Sequence, residues 1–166
     1  DPKNNLNSLK KQSEKLKEIS EIRPINPYGH TKACIETLLR NIFESDKKGL
    51  KIANLRYFNP VGAHESALIG ENPRGVPNNL VPYISQVADG KLEKISVFGN
   101  TYNTPDGTGL RDYIHISDLV LGHLSSLEFV NNKRGLETFN LGNGKAISVL
   151  EMINTFKKIS GVSIPY

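Results

Sequence analysis

The chain has 166 residues, of which 37% are hydrophobic and 7% aromatic, so it can bury one sizeable core or pieces of two. Its net charge of +4 is concentrated among lysines of the first twenty residues, where glutamates are interleaved. A mixed-sign run of this kind is typical of a solvated segment, so we expect no nucleic-acid partner. The single cysteine, Cys34, excludes an internal disulfide, and no apolar run approaches the ~20 residues that span a bilayer. We expect a cytoplasmic protein without a membrane partner.

The first half of the chain predicts an amphipathic helix, a buried strand and a short helix. Residues 1–27 are polar and end in a segment with two prolines, which favours an extended backbone. Apolar residues then recur at helical spacing as far as Phe43. In order, the predicted elements are a helix from Tyr28 that stops at Gly49, a strand from Ile52 to Phe58 ended by a turn at Asn59-Pro60, a loop over 61–78 and a helix from Leu80 to Ala88.

The second half predicts strands that alternate with two further helices. Ser148 and Glu151 have the spacing of a capping box, in which a serine and a glutamate close the start of a helix. In order, the predicted elements are a strand from Glu93 to Phe98, a tight loop over 103–109, a strand from Arg111 to Ile116, a helix from Asp118 to about Val130 capped by Ser117, a strand from Thr138 to Leu141, a turn at 142–144, a helix closed by Gly161 and the beginning of a strand at Ser163.

Alternating helices and strands predict an α/β fold with parallel pairing. The order starts with a helix that no strand precedes, so we expect the sheet under this helix to be mostly absent from the chain. No segment completes the dinucleotide fingerprint G-x-G-x-x-G. The position of the third glycine is occupied by Asp112 after Gly107-Thr-Gly109 and by Ile147 after Gly142-Asn-Gly144. If a dinucleotide is used, we expect its pyrophosphate to bind residues outside this chain.

Tyr28 and Lys32 stand four residues apart at the start of the first predicted helix. This spacing is one helical turn, so both side chains leave the same face. A lysine ammonium held near a tyrosine favours the phenolate, and a phenol tuned in this way can act as a base. The same spacing occurs by chance on solvated helix faces, so the neighbouring segments decide between the two interpretations.

Four segments, in this order, resemble UDP-glucose 4-epimerases, also called UDP-galactose 4-epimerases, of the extended short-chain dehydrogenase/reductase superfamily. The resemblance covers roughly residues 27–165, and its specificity comes from the joint occurrence of the segments. They are Tyr28-Gly-His-Thr-Lys32, Arg56-Tyr-Phe-Asn-Pro-Val-Gly-Ala-His64, Pro77-Asn-Asn-Leu-Val-Pro-Tyr-Ile84 and Asp106-Gly-Thr-Gly-Leu-Arg-Asp-Tyr-Ile-His115.

The resemblance implies a partial Rossmann-like NAD(P)-binding domain and a smaller α/β substrate-binding domain. It places residues 1–60 in the C-terminal part of the cofactor domain and residues 61–166 mainly on the UDP-sugar side, with 111–130 returning to the cofactor domain. The chain is then expected to lack the N-terminal NAD-binding half and the C-terminal end of such an enzyme, and to be inactive alone. The full-length enzyme is expected to be a homodimer.

The resemblance also implies NAD as cofactor and interconversion of UDP-galactose and UDP-glucose through transient oxidation at sugar C4. Tyr28 would take the proton from the 4-hydroxyl and later return it, while Lys32 would bond the nicotinamide ribose and tune the phenol. Tyr57 and Phe58 would lie against the nicotinamide, although core packing is about as good an interpretation for either. The Ser or Thr that the family places upstream of the tyrosine has no match among the serines of the first 27 residues.

Substrate contacts are implied for seven further residues. Arg111 resembles the arginine that clamps the diphosphate, because a guanidinium fork suits phosphate oxygens. The alternative for Arg111 is a structural pair with Asp112 or Asp118, and an ordinary helix N-cap is compatible with the role of Asn79. The full set is Asn59, Asn79, Leu80, Ser96, Val97, Phe98 and Arg111, in which Ser96 to Phe98 resemble the strand edge that pairs with uracil.

Two histidines, His64 and His115, invite a metal-site interpretation. Neither has a second His or Cys at ligand spacing, so we expect no metal and assign both to hydrogen bonding in a loop and a strand. Two rival functions remain open. One is another nucleotide-sugar enzyme of the same superfamily, such as a 4,6-dehydratase or a UDP-pentose epimerase, and the other is a non-catalytic sugar-nucleotide-binding fragment.

Overall fold

The computed structural model of the protein describes residues 15–46, 49–133 and 135–166. The chain divides into two compact units, each built from two stretches of sequence. Unit 1 comprises Asp1–Arg56 and Leu124–Asn140, and unit 2 comprises Tyr57–His123 and Leu141–Tyr166.

Helices and strands alternate along most of the chain, which confirms the predicted α/β class. The elements are α1 (Pro27–Ser45), β1 (Lys51–Tyr57), β2 (Asn59–Val61), α2 (Leu80–Ala88), β3 (Leu110–His115), α3 (Ile116–Asn132), β4 (Gly135–Leu141), β5 (Ala146–Ser148) and α4 (Val149–Ser160). Within the described ranges, no helix is both long and apolar enough to cross a membrane. Over the same ranges, no three His, Cys, Asp or Glu side chains come together as possible metal ligands.

Helix α1 belongs to unit 1 and ends earlier than predicted. Asn26 caps its start, accepting a hydrogen bond from the Gly29 amide at 2.7 Å. The helix ends at Ser45 because Asp46 leaves the helical conformation, with φ −140°. The Asp46 carboxylate then accepts a bond from the Gly49 amide at 3.3 Å, a local turn that competes with helix continuation.

Strands β1 and β4 form a two-stranded sheet in unit 1. β1 lies within one residue of its predicted position, and β4 starts three residues before the predicted Thr138. Arg56 of β1 forms two hydrogen bonds with Glu36 of α1, from Nε to Oε1 at 2.8 Å and from Nη2 to Oε2 at 2.6 Å. Since only 25% and 17% of these two side chains is exposed, the pair is largely shielded from water. It holds α1 on the sheet.

Unit 2 contains a three-stranded sheet in the order β2-β3-β5. β2 is parallel to β3, with Asn59 opposite Tyr113, and β5 is antiparallel to β3, with Ser148 opposite Leu110. The predicted turn at Asn59-Pro60 is therefore wrong, and β5 was not predicted. A proline is tolerated in β2 because, among the described strands, this one lies at the edge of the sheet and pairs with β3 on one side.

The core of unit 2 lies between α2, α4 and two extended segments. Its fully buried members are five isoleucine and valine side chains, supplied by α2, α4 and the segments around residues 95 and 164. They are Ile84, Val87, Ile95, Ile153 and Ile164. Helix α2 has the predicted bounds, and α4 begins at its Ser148 cap and ends at Gly161, whose φ of +71° suits glycine.

Two predicted strands of unit 2 are wrong. The segment from Glu93 to Phe98 contains no strand, and neither does the segment from Ser163 onward. They meet at one backbone hydrogen bond, from the Ile95 amide to the Pro165 carbonyl at 2.9 Å. A single bond does not make a ladder, so Ile95 is buried without the segment gaining a partner strand.

Helix α3 begins two residues before the predicted Asp118. The Ser117 amide donates to Nδ1 of His115 at 3.2 Å, so the histidine side chain satisfies an amide at the helix start. His64 bonds Ser66 through its own Nδ1 at 2.7 Å. The predicted hydrogen-bonding roles of both histidines are thus confirmed, whereas the predicted capping by Ser117 is wrong.

We predict that Glu36→Gln lowers the free energy of unfolding by about 1–3 kcal/mol, because it removes one charge of a shielded bidentate pair. Arg56 holds the pKa of the Glu36 carboxyl below its usual range through their hydrogen bond. A lowered pKa means that this stabilisation is present above the unfolded-state pKa and is lost as pH falls. Urea unfolding at neutral and acid pH measures both effects.

Glu128→Gln is the matched control, since Glu128 is an exposed helical glutamate of α3. It should change the free energy of unfolding by less than about 0.5 kcal/mol. Equal effects of the two substitutions at neutral pH would show that the Glu36–Arg56 pair does not hold α1.

Candidate functional site

A cleft of about 770 Å³ opens in unit 2 between the start of α2, the extended segment at 95–98 and strand β3. All seven residues predicted to contact the substrate line it. They are Asn59, Asn79, Leu80, Ser96, Val97, Phe98 and Arg111. These residues lie as far as 52 positions apart in the sequence, so the fold brings them together. Their binding roles stay predictions.

Strand β3 supplies one wall of the cleft. Arg111 and Tyr113 are two residues apart on this strand, so their side chains leave the same face. Asn59 of β2 lies directly opposite Tyr113 in the parallel pair, which puts an amide side chain beside them. The sheet thus fixes the spacing of a guanidinium, a phenol and an amide.

The Arg111 guanidinium makes one hydrogen bond, from Nη1 to the carbonyl of Leu110 at 2.8 Å. The Asp112 carboxylate accepts bonds from the amides of Asn143 and Gly144, at 2.9 and 2.7 Å. Among the described residues, no ion pair joins Arg111 to Asp112 or to Asp118. The guanidinium, which lines the cleft, is therefore not neutralised by either of these carboxylates. A phosphate oxygen is a ligand that a guanidinium binds well.

Asn79 occupies the N-cap position of α2, yet its side chain makes no capping hydrogen bond. Asn26, at the same position of α1, does make one. Asn79 lines the cleft instead, at the start of α2. An amide group and a helix N-terminus together suit an anionic ligand.

The segment from Ser96 to Phe98 forms the opposite wall of the cleft. It is extended, and in the described part of the chain the amides and carbonyls of these three residues have no backbone partner. The Phe98 side chain is 88% exposed. The wall therefore offers free peptide groups and an aromatic face, which suit a planar base that carries donors and acceptors.

A hydrogen-bond network between the exposed Asp106 carboxylate and two buried residues holds the loop that leads into β3. The Asp106 carboxylate accepts bonds from the amide and the hydroxyl of Thr108, at 2.9 and 2.7 Å, and a short bond from the Ser148 hydroxyl. Ser148 also caps α4 by accepting from the Glu151 amide at 3.0 Å. These bonds, with that of Ser148 first, lower the pKa of the Asp106 carboxyl. The network thus ties the 102–109 loop to α4.

Tyr28 and Lys32 lie together on α1, in unit 1. Nζ of Lys32 is 5.0 Å from the centroid of the Tyr28 ring, as a spacing of one helical turn predicts. The Tyr28 side chain is 72% exposed, so its hydroxyl is accessible to a ligand. The predicted proximity of the ammonium and the phenol is confirmed, and their catalytic roles stay predictions.

Three comparisons place this geometry among known proteins. The model of the NAD dependent epimerase/dehydratase family matches residues 7–142. The chain belongs to this family. It is 56% identical over 141 residues to UDP-glucose 4-epimerase of Bacillus subtilis, a match that covers 85% of the chain and 41% of that protein. The chain thus spans less than half the length of the curated relatives that it matches.

Two solved structures of UDP-glucose 4-epimerases are similar to this family member. One, from Stenotrophomonas maltophila, contains NAD and formylated UDP-arabinopyranose; its TM-score is 0.86 at 50% identity, over 89% of this chain and 44% of that one. The other, from Bifidobacterium longum, is a complex with NAD+ and UDP; its TM-score is 0.81 at 50% identity, over 85% of this chain and 42% of that one.

Tyr57 and Phe58 lie in unit 2 of this epimerase/dehydratase family member, where β1 ends. The Tyr57 side chain is 54% exposed, and its ring centroid is 5.9 Å from that of His123. Phe58 packs against Gly142, where an added Cβ would lie only 2.5 Å from the Phe58 ring. Packing thus explains Phe58, whereas the exposed Tyr57 ring is open to a ligand.

Three tyrosines of the cleft were missed by the sequence analysis: Tyr83, Tyr102 and Tyr113. Burial raises the pKa of Tyr113, and the nearby charge of Arg111 opposes this rise. The two-residue spacing from Arg111 was a usable signal for Tyr113. No comparable signal existed for Tyr102, because a loop brings it to the cleft.

We predict that two chemically identical substitutions at helix starts have different effects. Asn26→Ala should lower the free energy of unfolding by about 1 kcal/mol, because it removes a side-chain cap. Asn79→Ala should lower it by less than about 0.5 kcal/mol, because no cap bond exists there to lose. Denaturant unfolding of both variants measures the contrast, and equal losses would contradict it.

A second prediction concerns the Asp106 network and pH. A lowered folded-state pKa means that the ionised Asp106 stabilises the fold above its unfolded-state pKa and that this contribution is lost as pH falls. Asp106→Asn should therefore lower the Tm at neutral pH, and its difference from the unmodified chain should shrink at about pH 3. Glu93→Gln, at an exposed site outside the network, is the control, and a difference that does not depend on pH would contradict the network.

Proposed function

We propose that this chain works within a UDP-glucose 4-epimerase that interconverts UDP-galactose and UDP-glucose with NAD. The observation that carries the proposal is that the seven residues singled out by family resemblance line one cleft, with Arg111 at its wall and free of any carboxylate partner among the described residues. The solved relatives that hold NAD and UDP or a UDP-sugar support the same ligands here.

The proposed cleft contacts follow from the chemistry of UDP. The diphosphate is anionic, and the Arg111 guanidinium, the Asn59 and Asn79 amides and the start of α2 are groups that bind phosphate oxygens. Uracil presents a planar ring with an edge of donors and acceptors. The unpaired peptide groups of 96–98 suit that edge, and Phe98 suits the face of the ring.

The residues present also fit one end of NAD. Tyr28 and Lys32 offer an exposed phenol and an ammonium from one helix face, which suits ribose hydroxyls and the nicotinamide end. Tyr57 and Phe58 are proposed to lie beside the nicotinamide, and of the two the half-exposed Tyr57 ring has the better access. When bound, NAD would supply reversible hydride transfer at sugar C4.

In the proposed mechanism, the protein's own groups move the proton. The Tyr28 oxygen takes the proton of the sugar 4-hydroxyl and returns it in the same turnover, so Tyr28 must act as a base and then as an acid. The Lys32 ammonium, 5.0 Å from the Tyr28 ring, donates hydrogen bonds to the ribose. Arg111 and Asn59 hold the diphosphate, so the sugar can present its other face while the nucleotide stays bound.

The proposal extends to organisation and location. Residues 1–60 would belong to the cofactor side and residues 61–166 mainly to the substrate side, with 111–130 returning to the cofactor side. We propose a homodimer for the complete protein, as the family resemblance implies. A cytoplasmic location completes the proposal and is consistent with the single cysteine.

A chimera tests the function directly. The 141 matched residues of the Bacillus subtilis epimerase are replaced by those of this chain, and UDP-galactose to UDP-glucose conversion is measured. We expect the chimera to be active, the 166-residue chain alone to be inactive, and Tyr28→Phe with Lys32→Met in the chimera to lower kcat about 100- to 10,000-fold. Glu128→Gln, at an exposed position outside the predicted site, is the control.

Three outcomes would overturn parts of this proposal. A folded chimera that binds UDP but never converts it would favour a non-catalytic sugar-nucleotide-binding fragment. A doubly substituted chimera with unchanged kcat would remove Tyr28 and Lys32 from the chemistry. Conversion of a UDP-pentose in preference to UDP-galactose would move the substrate to another member of the superfamily.

A further inference from the structure

Tyr102 is the second strongly exposed aromatic side chain of the cleft, after Phe98. Its side chain is 57% exposed and lines the cleft together with the segment at 95–98. It lies four residues after Phe98 and reaches the cleft through the loop that the Asp106 network holds. Neither family resemblance nor sequence pattern assigns it a role.

The Tyr102 ring packs against the backbone at Gly99. At Gly99, with φ +90°, a Cβ would stand 2.7 Å from Cε2 of Tyr102, so the ring lies against a position where only glycine fits. The Tyr102 amide donates to the Gly107 carbonyl at 3.0 Å, and its carbonyl accepts from the Thr104 amide at 2.8 Å. Both backbone groups of Tyr102 are therefore anchored.

Phe98 and Tyr102 flank Gly99 on one short segment of the same cleft. No contact between their two rings is found in the described part of the chain, where ring pairs in contact occur elsewhere. Because neither ring covers the other, both aromatic faces stay open to a planar group that binds in the cleft. The free peptide edge at 96–98 lies in this same wall.

We propose that Tyr102 is a positioning residue for the nucleobase, a second aromatic wall that holds uracil against Phe98 and the peptide edge. This inference rests on the proposed function and adds a residue to its substrate site. The ring of Tyr102, rather than its hydroxyl, provides the contact. Gly99 is the position that admits the ring.

Isothermal titration of the 166-residue chain with UDP and with inorganic pyrophosphate tests this role. Pyrophosphate shares the charge of the diphosphate but has no base. Tyr102→Ala should weaken UDP binding about tenfold, within the range that base–aromatic stacking supplies, and leave pyrophosphate binding unchanged. Tyr102→Phe should retain UDP affinity within about twofold, because it keeps the ring.

The controls separate the ring from general damage to the cleft. Tyr166→Ala removes an exposed tyrosine outside the cleft and should leave both affinities unchanged. If Tyr102→Ala does not fold by circular dichroism, Tyr102→Leu, which keeps bulk without an aromatic face, is compared with Tyr102→Phe. Weaker UDP binding by the leucine variant supports the proposal.

Three results would overturn the inference. Equal UDP affinity of the leucine and phenylalanine variants would show that no aromatic face is used. Loss of UDP and pyrophosphate binding together in Tyr102→Ala would assign Tyr102 a merely structural role. Failure of the unmodified chain to bind UDP would instead overturn the proposed substrate site, and this inference with it.

Discussion

The carboxylate of Asp106 is the point on which the cleft of unit 2 depends. It accepts hydrogen bonds from two groups of Thr108 and from the hydroxyl of Ser148, so it closes the loop before β3 and ties that loop to the cap of α4. Thr108 and Ser148 are almost completely buried, whereas Asp106 itself is exposed, so the carboxylate bonds two hydroxyl groups that are shielded from water. β3 is then held by β2 on one side and β5 on the other. Arg111 owes its position at the cleft to this arrangement.

Unit 1 shows a comparable dependence on one polar contact. The spacing of Tyr28 and Lys32 is a property of the helix alone, since four residues make one turn. The orientation of α1 on its sheet is not, because it depends on the bidentate pair between Glu36 and Arg56. The role proposed for Tyr28 and Lys32 needs both a correct spacing and a fixed carrier helix. The chain therefore combines a local rule with a tertiary one.

Local rules explain which predictions succeeded. Helix α2 has the predicted bounds, and α4 begins at Ser148 and ends at Gly161, because caps and the left-handed glycine act within a few residues. The end of α1 was wrong because the Asp46 side chain competes locally with the helix, which periodicity does not register. The prediction of a strand at 93–98 was wrong because a strand needs a ladder of backbone bonds to a partner. In the described chain, the Ile95 amide forms a single such bond, to the Pro165 carbonyl. β5 escaped prediction for the converse reason, since pairing with β3 makes a strand of three residues.

By itself the sequence determined the α/β alternation, the helix caps, the proximity of Tyr28 and Lys32 and, through family resemblance, which seven residues to seek for the substrate. Only the tertiary structure decided that these seven line one cleft, that Asp112 bonds backbone amides rather than Arg111, and that Asn79 leaves its helix uncapped. The physical reason is one of range. Spacing along a helix is set by backbone geometry over a few residues. The partner of a carboxylate or a guanidinium is set by whichever donors and acceptors the fold brings within about 3 Å, and these can come from distant parts of the chain.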